Sequence, residues 1–397
     1  MKPLKERGPG RRGMLAGAGA AAVLGALEGC APQVIAPRRD AHPADRLELH
    51  PLRASTDRIT GITVCTRPFR AQGPRLEVET VGEKCIVHNY GHGGSGWSLS
   101  WGSSSIAVAM AMQTGERHIG VIGCGALGLS SAILLQRAGA QVTIYAKEIP
   151  PQVRSSLATG LWTPDSRICL ASNATPQFRT RWESMARQSF QAYQSLLGLP
   201  GDPVEYIDTY LVSDAPRDRA RDIVALGGRP PFAELKRDLI DDLIPQRRVF
   251  APGSHPFGAR TVEASSLMMF NLSAYSRMLI NDFLVDGGRL EIAEFHVPAD
   301  LGRLAQNTLI NATGYGARAL FGDASVTPVR GQLARMIPQP DVHYGIFYDN
   351  ASFVPRRDGL VFQQVGSSDY YGFDDDTTVP DRAEAESAVR TIAGLFA

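Results

Sequence analysis

The sequence predicts an α/β protein in which a Rossmann-like dinucleotide-binding domain is joined to a second α+β domain with a mixed sheet. Three observations support this fold class. The 397 residues, 44% of them hydrophobic, suffice for two domains or one domain with a large insertion. A short apolar strand, a glycine-rich turn and an amphipathic helix follow one another over residues 118–138. A second glycine-rich segment, at residues 88–102, precedes another helical stretch.

The charge balance bears on the kind of partner. The chain has 41 Lys and Arg against 40 Asp and Glu, a net charge of about +1. No overall field therefore draws the protein to nucleic acid or to an acidic membrane surface. We expect a small-molecule partner and no nucleic acid.

The first thirty residues predict an export signal. A basic start precedes a short run of small and apolar residues from Met14 to Leu27, which is too short to span a bilayer comfortably. The pair Arg11-Arg12 resembles a twin-arginine signal. Leu27 to Cys30 resembles a bacterial lipoprotein cleavage box, which would lipidate Cys30 and anchor the protein to a membrane; ordinary cleavage nearby is the alternative. We expect an exported protein, periplasmic or membrane-anchored, with a linker over residues 31–56.

The remaining cysteines and histidines do not predict a metal site. Cys65, Cys85, Cys124 and Cys169 form no CxxC pair, and we expect free thiols rather than a disulfide framework. His88 and His92 are four residues apart, but the glycines around them disfavour the helix that would bring them together.

The turn after the first apolar strand has the pattern GxGxxG in its strand-turn-helix setting. Gly123 permits the tight turn, Gly125 lets the backbone approach a pyrophosphate, and Gly128 allows close packing of helix on strand. The helix N-terminus, at Ala126 and Leu127, favours the negative charge of the phosphates. A second strand then leads to Lys147 and Glu148, about where an acid would bind the adenosine ribose. This pattern alone does not distinguish FAD from NAD.

Residues 88–102, HNYGHGGSGWSLSWG, favour a flavin. Such a glycine-rich loop lets the backbone lie against a flat ligand, and the following helix N-terminus can stabilise the anion of a reduced flavin, with Ser98 placed to donate a hydrogen bond. The candidate contacts here are Gly93, Gly94, Ser95, Gly96, Trp97 and Ser98.

The HNYGHGG run and its LSWG ending closely resemble the signature of the D-amino-acid oxidase and D-aspartate oxidase family, which implies FAD as the cofactor. Residues 66–70, TRPFR, resemble the family's RPxR segment, and residues 155–164 resemble the segment that covers the flavin. Runs at 311–318 and 328–332 resemble two further family motifs. The flavin contacts implied by the covering segment are Ser155, Thr159, Gly160 and Leu161.

The resemblance also implies substrate contacts. Arg67 would bind the substrate carboxylate, since a guanidinium binds a carboxylate through two parallel hydrogen bonds. The Gly94 carbonyl would lie near the α-amine. Alignment on Pro355 places Tyr348 at one of the family's active-site tyrosines and Ser352 at the other, so that one contact of the family is either missing or supplied by Tyr370 or Tyr371.

The motifs occur in reversed order, because the family's nucleotide turn precedes its RPxR and HNYGHGG segments. The resemblance therefore implies a circular permutation, with residues 115–117 joining the old C-terminal helix to the first nucleotide strand. The expected FAD-binding domain comprises residues 57–170 and 261–335, and the substrate domain residues 171–260 and 336–397.

The reaction implied is FAD-dependent oxidation of a D-amino acid by hydride transfer from Cα, giving an imino acid, then a 2-oxo acid and ammonia, with molecular oxygen reduced to hydrogen peroxide. A neutral D-amino acid is the first expectation. D-aspartate would require a further cation such as Arg356 or Arg357, whose expected place is a solvated turn beside Asp358. Two alternatives stay open: a dehydrogenase that uses another electron acceptor, and a ligand-binding lipoprotein without turnover.

Overall fold

The computed structural model describes residues 46–215 and 226–397. The predicted export signal, Cys30 and residues 31–45 of the predicted linker lie outside the described residues. The described residues cluster into one compact unit. Within the described ranges, no helix has the length and apolar character that a membrane crossing requires.

Two sheets organise this unit. The six-stranded sheet has the order β2-β3-β10-β4-β5-β9 and is parallel except for the antiparallel pair β2/β3. Its strands are β2 (Arg75–Val81), β3 (Lys84–Tyr90), β4 (His118–Ile122), β5 (Gln141–Ala146), β9 (Arg289–Ile292) and β10 (Thr308–Asn311).

The eight-stranded sheet has the order β1-β11-β14-β13-β12-β6-β8-β7 and is antiparallel except at β12/β6. Its strands are β1 (Ile59–Arg70), β6 (Val204–Ser213), β7 (Arg248–Phe250), β8 (Thr261–Phe270), β11 (Val326–Met336), β12 (Tyr344–Tyr348), β13 (Ala351–Arg356) and β14 (Gly359–Gln364). The predicted α/β fold with a second, mixed sheet is confirmed.

The described α-helices pack mainly around the six-stranded sheet. They are α1 (Ser100–Met112), α2 (Ala126–Arg137), α3 (Pro176–Gln194), α4 (Leu235–Leu239), α5 (Leu272–Val285), α6 (Ala317–Leu320) and α7 (Arg382–Ala393). One large apolar core includes buried side chains of α1, α2, α3 and α5 and of the central strands. By contrast, α7 packs against β11, β13 and β14 of the other sheet.

Close approach of backbones fixes the contact between α1 and α3. A Cβ at Gly102 would lie 2.2 Å from the Met185 carbonyl oxygen, so only glycine allows the two helices to come this close. The N-terminus of α3 is fixed by Thr175, whose hydroxyl accepts a hydrogen bond from the Phe178 N–H.

The domain boundaries expected from the sequence do not coincide with the division of the strands between the two sheets. Leu52, expected in a linker, is 6% exposed and packs with α7, and the Leu47 N–H donates to the Ser254 carbonyl. Strands β1 and β8, both expected in the FAD-binding domain, belong to the eight-stranded sheet. The reason is long-range pairing: β1 pairs with β11 from Ile59 to Arg70, which no local pattern reveals.

The Gly102 contact can be tested by substitution. We expect Gly102→Ala to lower the free energy of unfolding by about 1–2 kcal/mol, because overpacking against backbone outweighs the gain in helix propensity. Urea denaturation measures this change. Gly61→Ala is the control and should leave stability unchanged or slightly raised, because an added Cβ there would meet no heavy atom within 4 Å beyond its chain neighbours. Equal effects of the two substitutions would contradict the packing argument.

Candidate active site

A cavity lies at the carboxyl ends of the parallel strands, where α/β folds bind ligands. Segments from before and after β4 line it together. They comprise residues 65–68, 89–94, 96–97, 122–127, 145–148, 153–155, 158, 293–296, 312–316 and 319–320. The two glycine-rich segments of the sequence therefore contribute to one site.

The dinucleotide turn has the backbone geometry that its glycines allow. Gly123 has φ +108°, and a Cβ there would be 2.7 Å from the Ala312 carbonyl oxygen. A Cβ at Gly128 would be 2.0 Å from the Gly123 carbonyl oxygen, so Gly128 packs behind the turn and does not line the cavity. Gly125, Ala126 and Leu127 line it directly. The N-terminus of α2 thus lies at the cavity, and its positive end suits a phosphate.

The end of β5 supplies the acidic residue that a ribose would need. Lys147 and Glu148 both line the cavity. Across from them lie Glu294, Phe295 and His296, which follow β9, and the Lys147 ammonium is 3.6 Å from the Glu294 carboxylate. The sequence analysis missed residues 293–296, although their position directly after a strand is the signal that identifies them.

The glycine-rich loop before α1 packs directly on the segment after Leu161. The Gly94 N–H donates to the Ser166 carbonyl at 2.9 Å, and a Cβ at Gly93 would be 2.0 Å from the Arg167 carbonyl oxygen. Gly93, Gly94, Gly96 and Trp97 line the cavity. The Trp97 indole donates to the Ser155 carbonyl at 2.7 Å. Glycine at position 93 therefore allows the backbone of this loop to lie close to that of Arg167.

The predicted flavin-binding serines, Ser95 and Ser98 of this loop and Ser155 after β5, have different positions. Ser155 lines the cavity, and its hydroxyl accepts a hydrogen bond from the Ala126 N–H at 3.2 Å. The Ser95 hydroxyl donates to the Ser166 carbonyl. The Ser98 hydroxyl accepts from the Thr163 N–H at 2.8 Å. Ser95 and Ser98 are buried and do not line the cavity, so their visible role is to fix the loop.

The two histidines of the HNYGHGG run are buried. His92 lines the cavity; its Nε2 lies 2.7 Å from the Ser103 hydroxyl, and its Nδ1 has no partner among the described residues. Burial lowers the pKa of His92 to about 3, so the ring is neutral near pH 7. His88 contacts Glu79 and Asn311. Over residues 46–215 and 226–397, no cluster of three or more His, Cys, Asp and Glu could hold a metal ion.

Arg67 reaches the cavity wall from β1. Its Nη1 donates to the Arg330 carbonyl at 3.2 Å, and a Cβ at Gly331 would be 2.5 Å from its Nη2. The guanidinium thus lies directly against Gly331. In the described part of the chain no carboxylate is within ion-pair distance of Arg67. A cation so placed can bind a carboxylate from the cavity.

The segment expected to cover the flavin connects the two sheets. Gly160 has φ +94°, and its carbonyl accepts from the Phe270 N–H at 2.6 Å. The Thr159 hydroxyl donates to the Gln363 side chain at 2.8 Å, and Leu161 forms a bridge with Met269. These three residues do not line the cavity, whereas the preceding Ala158 does.

Tyr348 and Ser352 lie on opposite faces of the eight-stranded sheet, and neither lines the cavity. The Tyr348 hydroxyl lies 3.0 Å from the Asp214 carboxylate, and the ring packs toward the α7 side of the sheet. Ser352 is 2% exposed and pairs with Phe347 on the opposite face. The predicted placement of Tyr348 at the substrate is therefore wrong, because it pairs with Ala351 and side chains alternate along a strand.

The other two tyrosines are engaged elsewhere. The Tyr370 hydroxyl donates to the Pro230 carbonyl at 2.5 Å, and its ring packs on Phe232. Tyr371 packs against Gly366. Neither lines the cavity, so neither supplies the contact that Ser352 lacks.

Arg356 is not in a solvated turn, which corrects the expectation from sequence. It is 1% exposed, its Nε donates to the Asp358 carboxylate at 2.8 Å, and its Nη1 donates to the Ala158 carbonyl at 2.7 Å. It ends β13 on the inward face, and burial forces its charge to be paired. The neighbouring Arg357 is half exposed and pairs with Glu205.

The parallel sheet, the glycine turn and this cavity together define a dinucleotide-binding protein. Residues 118–396 match the sequence profile of the DAO family of FAD-dependent oxidoreductases, and the chain belongs to that family. Its cofactor is accordingly FAD, as the sequence predicted. The residues that fit this cofactor are those of the turn, Glu148 and the glycine-rich loop.

Known relatives are similar over most of the chain. A D-amino-acid oxidase of Rubrobacter xylanophilus is 27% identical over 289 residues, 69% of this chain and 76% of the relative. One of Streptomyces coelicolor is 26% identical over 291 residues, 70% and 78% of the two chains. Among solved structures, iminodiacetate oxidase from Chelativorans sp. BNC1 has 19% identity and a TM-score of 0.47, covering 70% of this chain and 78% of that one.

The adjacent arginines Arg356 and Arg357 give a matched test of burial. We expect Arg356→Met to lower the free energy of unfolding by about 3 kcal/mol or more, because Asp358 loses its buried partner and Ala158 loses its donor. Arg357→Met should change it by less than about 1 kcal/mol. Chemical denaturation of both variants measures the difference. Similar small losses in both would show that the buried ion pair does not hold the cavity edge.

Proposed function

We propose that the protein is an FAD-dependent oxidase that deaminates a D-amino acid. The observation that carries the proposal is the Arg67 guanidinium, which faces the cavity of the dinucleotide turn and has no carboxylate partner among the described residues. The names of the relatives, D-amino-acid oxidases of two bacteria, support the choice of substrate class. The broader statement, that the protein is an FAD-dependent oxidoreductase, follows from its family.

In this proposal the chain binds and orients the substrate. Arg67 binds the α-carboxylate through paired hydrogen bonds. The N–H of Gly94 is already used by Ser166, and its carbonyl oxygen accepts a hydrogen bond from the α-amine. Two such contacts fix the orientation of Cα, so that rate acceleration arises chiefly from positioning.

FAD, held by the glycine turn, Glu148 and the glycine-rich loop, would supply the acceptor for the hydride that leaves Cα with its bonding electron pair. The amino acid thereby becomes an imino acid. Water then hydrolyses its C=N bond to give a 2-oxo acid and ammonia. Molecular oxygen takes up the two electrons and two protons and becomes hydrogen peroxide. No general base among the cavity side chains is required, because a neutral amine assists the departure of hydride directly.

The function is tested by anaerobic addition of D- and L-amino acids to the purified FAD protein. We expect D-enantiomers to bleach the flavin absorbance, and air to restore it with release of peroxide. Bleaching that air does not reverse would indicate a dehydrogenase with another acceptor. A protein that binds no flavin, or a flavin that no amino acid reduces, would contradict the proposal.

The same substrates test whether Arg67 binds the substrate carboxylate. Arg67→Met should lower kcat/KM by roughly 10- to 150-fold, equivalent to about 1.5–3 kcal/mol for hydrogen bonds to a charged group, with the flavin spectrum retained. Arg357→Met is the control and should have wild-type kcat/KM. An Arg67→Met enzyme of unchanged kcat/KM would exclude Arg67 from carboxylate binding.

We also propose that the order of the segments is circularly permuted relative to the family. Residues 46–117 precede the part that matches the family profile, yet β3 lies inside the parallel sheet beside β10, and β1 carries Arg67. Leu395 and Phe396 pack in the same apolar cluster as Leu52 and Ile59. Joining α7 to the segment before β1 would thus bridge neighbouring parts of the fold.

A rearranged gene tests the permutation. A chain running from residue 117 to 397, then through a short Gly/Ser linker to residues 46–116, should bind FAD and retain wild-type kcat/KM. A rearrangement cut at residue 125, inside the glycine turn, is the control and should bind no FAD. If the chain that begins at residue 117 also fails to bind FAD, the natural and the rearranged segment orders are not equivalent and the proposed permutation is wrong.

A further inference from the structure

Arg154 and Tyr315 contact each other at the cavity and take no part in the substrate contacts proposed above. The guanidinium carbon of Arg154 lies 5.2 Å from the centre of the Tyr315 ring, which is a cation–π contact. Both residues line the cavity. They belong to loops that are far apart in the sequence, so the contact joins two separate parts of the cavity wall. We call this pair the cation–π bridge.

The two loops follow the strands on either side of β4. In the six-stranded sheet β4 lies between β10 and β5. Arg154 begins the short 3-10 helix Arg154–Leu157, which comes after β5. Tyr315 lies in the short 3-10 helix Gly314–Gly316, which comes after β10. Because the glycine turn follows β4 itself, the cation–π bridge connects the loops on the two sides of that turn.

Both loops also contact the glycine turn directly. A Cβ at Gly123 would be 2.7 Å from the carbonyl oxygen of Ala312, in the loop after β10. A Cβ at Gly125 would be 3.2 Å from the hydroxyl of Ser155, the residue that follows Arg154. The turn is thus flanked at van der Waals distance by both loops. The cation–π bridge joins these loops at the cavity in which the turn lies.

Arg154 is the cation of the cavity wall that has no carboxylate partner and no proposed substrate contact. The Lys147 ammonium lies 3.6 Å from the Glu294 carboxylate, and Arg67 is assigned to the substrate. In the described part of the chain, no side chain forms a hydrogen bond or an ion pair with the Arg154 guanidinium. Its N–H groups are therefore available to a ligand that carries negative charge.

The glycine turn lacks the positive charge that a dinucleotide needs. The pyrophosphate of FAD is doubly negative, whereas the N-terminus of α2 supplies about half a positive charge. A guanidinium beside the turn would balance most of the remainder, and its planar shape binds two phosphate oxygens at once. Arg154 is placed for this task, because the next residue, Ser155, already accepts a hydrogen bond from the Ala126 N–H at the start of α2.

We propose that the cation–π bridge closes over the glycine turn and retains FAD. Arg154 binds the pyrophosphate, and the Tyr315 ring holds the guanidinium in the position where it does so. Release of FAD then requires the contact between the two side chains to open. The inference concerns the cofactor alone, so it does not depend on which substrate the protein oxidises.

Cofactor binding by the FAD-loaded protein tests the role of Arg154. Equilibrium dialysis measures the Kd for FAD, and loss of bound flavin absorbance after dilution and filtration measures the release rate. We expect Arg154→Met to raise the Kd roughly tenfold, because charge-assisted hydrogen bonds are lost. Arg137→Met is the matched control. Arg137 lies 5.3 Å from the Trp101 ring in a similar contact outside the cavity, so its loss should leave the Kd and the release rate unchanged.

Substitutions of Tyr315 test the contribution of the ring. Tyr315→Leu should raise the Kd for FAD roughly 2- to 5-fold and accelerate release, because the guanidinium loses the aromatic face. Tyr315→Phe retains that face and should bind FAD like the natural protein. Adding Tyr315→Leu to Arg154→Met should have little further effect, since the ring acts through the arginine.

The dependence on salt separates charge from packing. FAD binding by the natural protein should weaken as salt is raised, since the guanidinium of Arg154 is exposed to solvent. Arg154→Met should show a smaller salt dependence. Tyr315→Phe should keep the natural dependence, because it retains the charge and the ring.

Several results would overturn the proposal. An Arg154→Met protein with the natural Kd and release rate would exclude the arginine from pyrophosphate binding. Equal losses in Tyr315→Phe and Tyr315→Leu would show that the ring face does not hold the guanidinium, and fully additive losses at the two positions would show that they act independently. If Arg154→Met weakens FAD binding while no amino acid reduces the flavin, the cation–π bridge stands and the proposed function fails.

Discussion

The pairing of β1 with β11 is the constraint on which the site depends. Its register places Arg67 opposite Val329 and Cys65 opposite Gly331, and continues from Ile59 to Arg70. Through this pairing a segment from the N-terminal part of the chain becomes the wall of a cavity whose other wall is the dinucleotide turn. A slip of one residue would turn Arg67 to the opposite face of the sheet and remove the cation from the cavity.

Local sequence patterns located the glycine turn and the glycine-rich loop of the nucleotide-binding part, but they missed residues 293–296. The roles of Gly123, Gly128 and the loop before α1 follow from backbone geometry within a few residues, and such geometry leaves a recognisable pattern of glycines. The substrate side could not be obtained in this way. The position of Tyr348 depends on which residue of β13 it pairs with, and the burial of Arg356 depends on contact with Ala158, nearly two hundred residues away in the chain.

The burial of Arg167 could not be predicted from sequence either. An arginine in a loop ordinarily predicts a solvated side chain. Here the loop of Gly93 and Gly94 covers its backbone, and the turn at Asp369 holds its guanidinium. Its burial results from segments that are distant in sequence. Charge at this site is therefore a property of tertiary structure, whereas charge at the nucleotide turn arises from a single helix end.

Gly331 has a consequence for how this site could change over evolutionary time. The Arg67 guanidinium occupies the space that any side chain at position 331 would fill. A mutation at 331 would therefore displace the cation without altering it, and a smaller residue at 67 would create the room that a larger residue at 331 requires. The two positions are expected to vary as a pair, and a lineage that lost the arginine could conceal that loss behind a newly filled glycine site.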